Sequence, residues 1–130
     1  MGEVLEIYNL KDSTHVVRIG PHGEPKFKVA EGYGIPTGIM GFCDVQVTDS
    51  AIYAVFQGRT FKDIAEAARR GDMTDGGRYV YVFSLMGEPL RKYELDHVIY
   101  GMFVDEQKGT IMITDVNRDE PILEYDMGRI

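Results

Sequence analysis

The run Tyr79-Val80-Tyr81-Val82-Phe83-Ser84-Leu85-Met86-Gly87-Glu88-Pro89-Leu90-Arg91-Lys92-Tyr93-Glu94-Leu95 decides how the rest of the chain reads. β-Branched and aromatic residues fill positions 79–85 and alternate with the period of two that a strand requires. Met86-Gly87-Glu88-Pro89 carries turn chemistry, and positions 90–95 alternate again. The run is therefore expected to be an antiparallel hairpin. Working outward, the same period marks 4–10, 15–19, 42–47, 51–57, 100–104, 110–114 and 122–127. That makes about ten strands joined mostly by short turns, among them Thr48-Asp49-Ser50 and Gln107-Lys108-Gly109.

The strands repeat. Val80-Tyr81-Val82-Phe83-Ser84-Leu85 shares an apolar and aromatic outline with Leu5-Glu6-Ile7-Tyr8-Asn9-Leu10 and with Ile122-Leu123-Glu124-Tyr125-Asp126-Met127. Leu85 and Met127 lie 42 residues apart, a spacing typical of propeller blades. Leu10 and Leu85 lie 75 apart, which fits one blade plus insertions near 20–41 and 59–77. A second unit, Val45–Asp49 leading into Ile52–Val55, recurs as Met102–Glu106 leading into Ile111–Ile113. The fold class expected is all-β, with about two and a half antiparallel propeller-type blades and a short helical insertion. As a single partial domain over 1–130, it divides into a half blade (3–20), a full blade (41–95, with an insertion at 59–78) and a partial blade (99–127). A β-sandwich with chance self-similarity fits the same short, even strands.

One segment departs from the strand period. Residues 60–70 are rich in helix formers, and Phe61, Ile64, Ala65 and Ala68 fall at helical spacing. Thr60 and Asp63 stand as a capping box with Asp in place of Glu, and Gly71 closes the segment.

The bulk composition narrows the function. The chain has 130 residues, a hydrophobic share of 44% and a charged share of 27%, which suits an ordered globular domain. Its net charge of −7 is poorly suited to neutralising phosphates, so a nucleic-acid partner is not expected. No apolar run has the length of a membrane helix, so no membrane insertion is expected. Met1-Gly2-Glu3-Val4-Leu5-Glu6-Ile7 lacks the basic start and apolar core of a signal peptide. The lone cysteine, Cys43, lies in an apolar stretch and is expected to be a small buried hydrophobe.

Several stretches of the sequence resemble the TolB-like six-bladed β-propellers. They are Ile52-Tyr53-Ala54-Val55-Phe56-Gln57-Gly58-Arg59-Thr60, the 81–89 strand and turn followed by Lys92-Tyr93-Glu94-Leu95-Asp96, the Val104-Asp105-Glu106 stretch and Glu124-Tyr125-Asp126. The likeness runs from about residue 4 to 127 and is carried by order and spacing more than by any one motif. It implies a toroidal scaffold of about six blades, bacterial and often exported (periplasmic or cell-envelope) full-length relatives, and no single activity. Members of the family are more than twice as long as this chain, which resembles their C-terminal third. Open blade edges would then invite self-association of copies.

Candidate sites are sparse. Asp115-Val116-Asn117-Arg118-Asp119 matches the opening of a calcium loop, but Glu120 stands where the sharp turn needs Gly, so a polar turn is expected. His15, His22 and His97 stand at no metal-ligand spacing and are expected to be exposed or turn residues. The acid pairs Asp105-Glu106 and Asp119-Glu120 are expected to be solvated turn residues. Gly32, Gly34, Gly38 and Gly41 lack a following Gly-Lys-Ser/Thr and are expected to lie in a long loop. No catalytic residue, metal ligand or cofactor is assigned. Position alone nominates Asp44 and Tyr100, at the starts of the expected inner strands, and Arg59, in the turn before the insertion, for a channel-mouth or rim site. The function expected is a non-catalytic binding or protein-interaction module, its protein or small-molecule ligand unspecified. The alternatives are a remnant without independent function and a metal-assisted hydrolase of the lactonase kind.

Overall fold

A computed structural model describes residues 4–19, 27–30, 33–36, 39–71, 77–115 and 118–128. The expected antiparallel β class is what it shows. Strands β1 (Val4–Asn9) and β2 (Thr14–Ile19) form one hairpin, and β3 (Phe27–Ala30) and β4 (Tyr33–Pro36) form another. Then β5 (Phe42–Val47), β6 (Ala51–Phe56), β7 (Gly77–Ser84) and β8 (Pro89–Ile99) make a four-stranded meander. The final sheet is a three-stranded meander of β9 (Gly101–Asp105), β10 (Thr110–Thr114) and β11 (Ile122–Asp126).

The sequence repeat has a structural meaning. β7 and β11, which carry the segments 42 residues apart, are both the third strand of their meander. β5 and β6 correspond in the same way to β9 and β10. The hairpin, the four-stranded sheet and the three-stranded sheet pack in that order. Ile52, Ala54 and Phe83 bury one face of the middle sheet against Leu5 and Ile7 of β1. Tyr53, Val55, Val80, Val82, Tyr93 and Leu95 bury the other against Val104, Ile111 and Ile113. All six residues of β6 are consequently buried, as only a central strand covered on both faces permits. Each fully buried aliphatic side chain of this kind contributes roughly 1.5–3 kcal/mol.

The helical insertion forms as α1 (Phe61–Arg69) between β6 and β7, and its cap is the one read from sequence. The Asp63 N–H donates to Thr60 Oγ1 at 3.1 Å, and the Thr60 N–H donates to Asp63 Oδ2 at 3.2 Å. The face that packs is a different one. Ala67 is buried, whereas Phe61 and Ala68, expected on the apolar face, are exposed.

Three further expectations need correction. The stretch expected as a long loop contains the β3–β4 hairpin, whose pairing of Ala30 with Tyr33 leaves only two residues between the strands. Gly34 belongs to β4, while Gly32 and Gly38 lie outside the described residues. β8 continues past residue 95 to Ile99, where it pairs with Gly77. Cys43 is exposed, not buried. The register steps from Phe42↔Phe56 to Asp44↔Val55, so Cys43 is the extra residue of a β-bulge and drops out of the inward alternation. Its sulfur still turns back to the Val55 carbonyl at 3.7 Å, and desolvation on that side, helped by Asp44, raises the thiol pKa.

Candidate functional site

The three positions nominated from sequence lie on three different parts of the chain's secondary structure. Asp44 is exposed on β5 beside the bulge, and its Oδ1 accepts from the Val45 N–H at 2.9 Å. Arg59 is half-buried between β6 and α1. Its Nε donates to Gln57 Oε1 at 2.9 Å, and its carbonyl accepts from the Met40 N–H at 2.7 Å. Tyr100 is half-buried where β8 passes into β9, with its N–H on the Thr114 carbonyl at 2.9 Å.

Of the histidines, His15 is exposed, as expected, and stacks on Tyr8 with ring centroids 4.2 Å apart. His97 is half-buried, not exposed: its Nδ1 lies 3.3 Å from Asp115, and Arg118 Nη1 lies 3.2 Å from its Nε2. His22 lies outside the described residues, as do positions 116 and 117 of the calcium-like segment. Asp115, the first residue of the segment, is buried at 4% exposure. Glu106 does lie in a turn, but its carboxylate accepts from Ser50 Oγ and Tyr53 OH of the neighbouring sheet. No group of three or more metal-binding side chains occurs among the described residues, and no helix there is long and apolar enough to cross a membrane.

A cleft that sequence reasoning did not find opens between the first hairpin and the middle sheet. It measures about 400 Å³ and is lined by Arg18 and Ile19 from β2, Phe42 from β5, Tyr81, Val82 and Phe83 from β7, and Pro89, Leu90, Arg91 and Lys92 from β8. That volume is within the range of small-molecule sites.

Local sequence builds each wall. Strand alternation puts Tyr79, Tyr81 and Phe83 on one face of β7, and antiparallel pairing brings Phe56 across from Tyr79. Phe56 and Tyr81 stack with centroids 4.9 Å apart, while Phe42 meets Tyr81 edge-on at 5.7 Å and Phe83 at 6.3 Å. Lys92 pairs with Tyr81 across β7 and β8, which lays its ammonium 4.5 Å from the Tyr79 centroid and 5.5 Å from that of Tyr81.

The opposite wall is held by Gly87. Its φ of +88° is the left-handed conformation that closes the β7–β8 turn. A Cβ there would lie 2.9 Å from Val16 Cγ1 and 3.1 Å from Ile7 Cδ1, so the hairpin rests directly on the turn. Arg18 completes the junction, its Nε donating to the Gly87 carbonyl.

The described lining therefore presents Arg18 and Lys92 and no carboxylate, in a chain whose net charge is −7, while the guanidinium of Arg91 turns to Tyr93 OH on the other face of the sheet. It also contains no histidine, cysteine, serine or threonine. None of Asp44, Arg59 and Tyr100 lines it. The spatial order of hairpin and meanders, with third strands one blade period apart, is that of consecutive propeller blades. The model of the TolB-like 6-blade propeller-like family matches residues 1–107.

The chain belongs to the TolB-like family.

The match takes in the hairpin, the middle sheet and β9, and so the whole lining of the TolB-like cleft. No curated protein and no solved structure gives a significant match to the chain. The family fixes the scaffold, and a propeller scaffold carries many activities.

Proposed function

We propose that this TolB-like chain is a ligand-binding module and that the cleft between the first hairpin and the middle sheet seats an anion with a flat apolar body. The observation that carries this is the lining: Arg18 and Lys92 without a carboxylate among the lining residues, against a wall of Phe42, Tyr81 and Phe83. In a partly enclosed cleft a cation attracts an anion more strongly than it does in bulk water, because the walls exclude high-dielectric solvent. The aromatic wall supplies area and favours a planar body, and Lys92 is held over it by the ring faces beneath. Binding is preferred to catalysis because no lining group besides Tyr81 and the cations can exchange a proton.

Isothermal titration with naphthoate and with naphthalenemethanol, equal in ring and different in charge, tests the reading. Naphthoate is expected to bind roughly tenfold or more tighter, with the advantage lost in Lys92→Met or Arg18→Met and reduced by salt. Equal affinity for the two probes, or a charge preference untouched by both substitutions, overturns it.

A further inference from the structure

The repeat lets the two outer faces of the stacked sheets be compared with the covered ones. Leu5, Val80 and Ile122 hold the first place of the repeated strand segment, and Tyr8, Phe83 and Tyr125 hold its fourth. Strand alternation sends these two places to opposite faces of a sheet. Leu5 and Val80 are buried, each beneath the sheet that follows its own. Phe83 and Tyr125 pack against the sheet that precedes theirs. The same two places are open at the outer faces, where Ile122 is 61% exposed and Tyr8 63%.

Register extends both open faces. Phe103 and Glu124 lie across from Met112, so Phe103, Met112 and Ile122 share the outer face of the final sheet, with Phe103 57% exposed. On the first hairpin Tyr8 lies across from His15 and Glu6 from Val17, so Tyr8 and exposed Val17 share the outer face there. Each junction inside the chain joins one face of first-place residues to one face of fourth-place residues. The two open faces are thus the unmatched halves of a junction the chain already makes twice.

We infer that these faces are docking surfaces for a second copy of this chain, the Tyr8–Val17 face of one copy seated on the Phe103–Ile122 face of the other. Because the two faces differ, the contact runs head to tail, and such contacts close into a ring or grow into a filament. Three sheets of each copy pack in series, so two copies joined at both junctions bring together six, the blade number of the matched family. The assembly is a closed pair. Each face carries an acid, Glu6 or Glu124, and the chain's net charge is −7, so salt is expected to strengthen the contact.

Sedimentation of the full chain from about 1 μM to about 1 mM tests this, and a two-copy species is expected to form within that range. Tyr8→Glu alters one face and Phe103→Glu the other, and each variant alone is expected to associate roughly tenfold or more weakly. Mixed in equal amounts, they retain one unaltered junction, between Tyr8 of one copy and Phe103 of the other. The mixture is therefore expected to pair more tightly than either variant does with itself, a rescue that contact between like faces does not give. Melting curves separate loss of docking from loss of folding, and Val17→Glu with Ile122→Glu repeats the test if either first variant fails to fold. A chain that stays single throughout, a contact abolished by salt, variants that associate as the parent does, or a mixture no tighter than its components overturns the inference.

Discussion

The side-chain amide of Gln46 on β5 makes both of the hydrogen bonds that a neighbouring strand would offer to Val104 on β9. Its Nε2 donates to the Val104 carbonyl at 3.0 Å, and its Oε1 accepts from the Val104 N–H at 2.8 Å. β9 is an edge strand of its meander, and Val104 itself is buried. An unpaired main-chain group at such a place is costly, so one glutamine closes the edge that the sheet leaves open.

Gln46→Leu is therefore expected to destabilise the chain by about 1–3 kcal/mol in urea unfolding, since it strands both Val104 groups. Gln46→Glu removes the donor and sets a carboxylate against the Val104 carbonyl. It is expected to be less stable than the parent at neutral pH and to approach the parent as acid protonates the new side chain. Equal stability of all three proteins across pH would contradict this role.

Two tyrosine–carboxylate pairs join the middle and final sheets. Tyr53 OH meets Glu106, and Tyr125 OH donates to Asp96 Oδ1 at 2.6 Å. Both carboxylates titrate below their usual values, Glu106 chiefly through Ser50 and Asp96 chiefly through Tyr125. A group whose folded pKa is depressed stabilises the fold above its unfolded pKa and loses that contribution as pH falls through the folded value. The melting temperature is expected to drop below roughly pH 4, less steeply in Asp96→Asn and Glu106→Gln. The phenols act at the other extreme. Burial, then Glu106, pushes Tyr53 up to about 12, so its contribution is complete below the ordinary tyrosine pKa and is lost as pH rises from there through the folded value of about 12. Melting curves recorded across the acid and alkaline limbs check both signs.

Gly87 and Gly109 share a left-handed φ, but a Cβ would meet a neighbouring element only at Gly87 of the two. Gly109→Ala is expected to cost about 1 kcal/mol, the conformational term alone. Gly87→Ala adds the contacts with Val16 and Ile7 to that term, and is expected to cost more and to widen the cleft. Comparable unfolding midpoints for the two variants would show that the hairpin does not rest on the turn.

Thr60→Ala removes one half of the reciprocal cap of α1 and is expected to cost about 1 kcal/mol, with the loss confined to helix signal in circular dichroism. Thr60→Ser, which keeps the hydroxyl, is expected to be close to the parent. A Thr60→Ala protein as stable as Thr60→Ser would remove the cap from the account.

What the sequence made legible was local. The alternation of 79–85 and its echo at 122–127 exposed the blade period, because one strand position meets the same surroundings in each sheet. Thr60 and Asp63 announced their cap because the bonds span three residues. The four-residue strands β3 and β4 are too short for a period to declare itself among Gly34 and Pro36. Cys43 misled because a single bulge reverses the alternation used to place it. The cleft and the Gln46–Val104 pairing were invisible for a different reason. Arg18 and Lys92 are 74 residues apart in the chain, as Gln46 and Val104 are 58, and only the stacking of sheets brings either pair together. The positions chosen from sequence, Asp44, Arg59 and Tyr100, followed the inner strands, whereas the cleft is built mainly from β2, β7 and β8.

The most direct measurement is an amide chemical-shift map of the uniformly labelled chain during titration with naphthoate. The account predicts saturable changes concentrated at Arg18, Phe42, Tyr81, Leu90 and Lys92, with the β9–β11 sheet unmoved. Changes centred elsewhere, or none at millimolar naphthoate, would contradict the assignment of this cleft as the ligand seat.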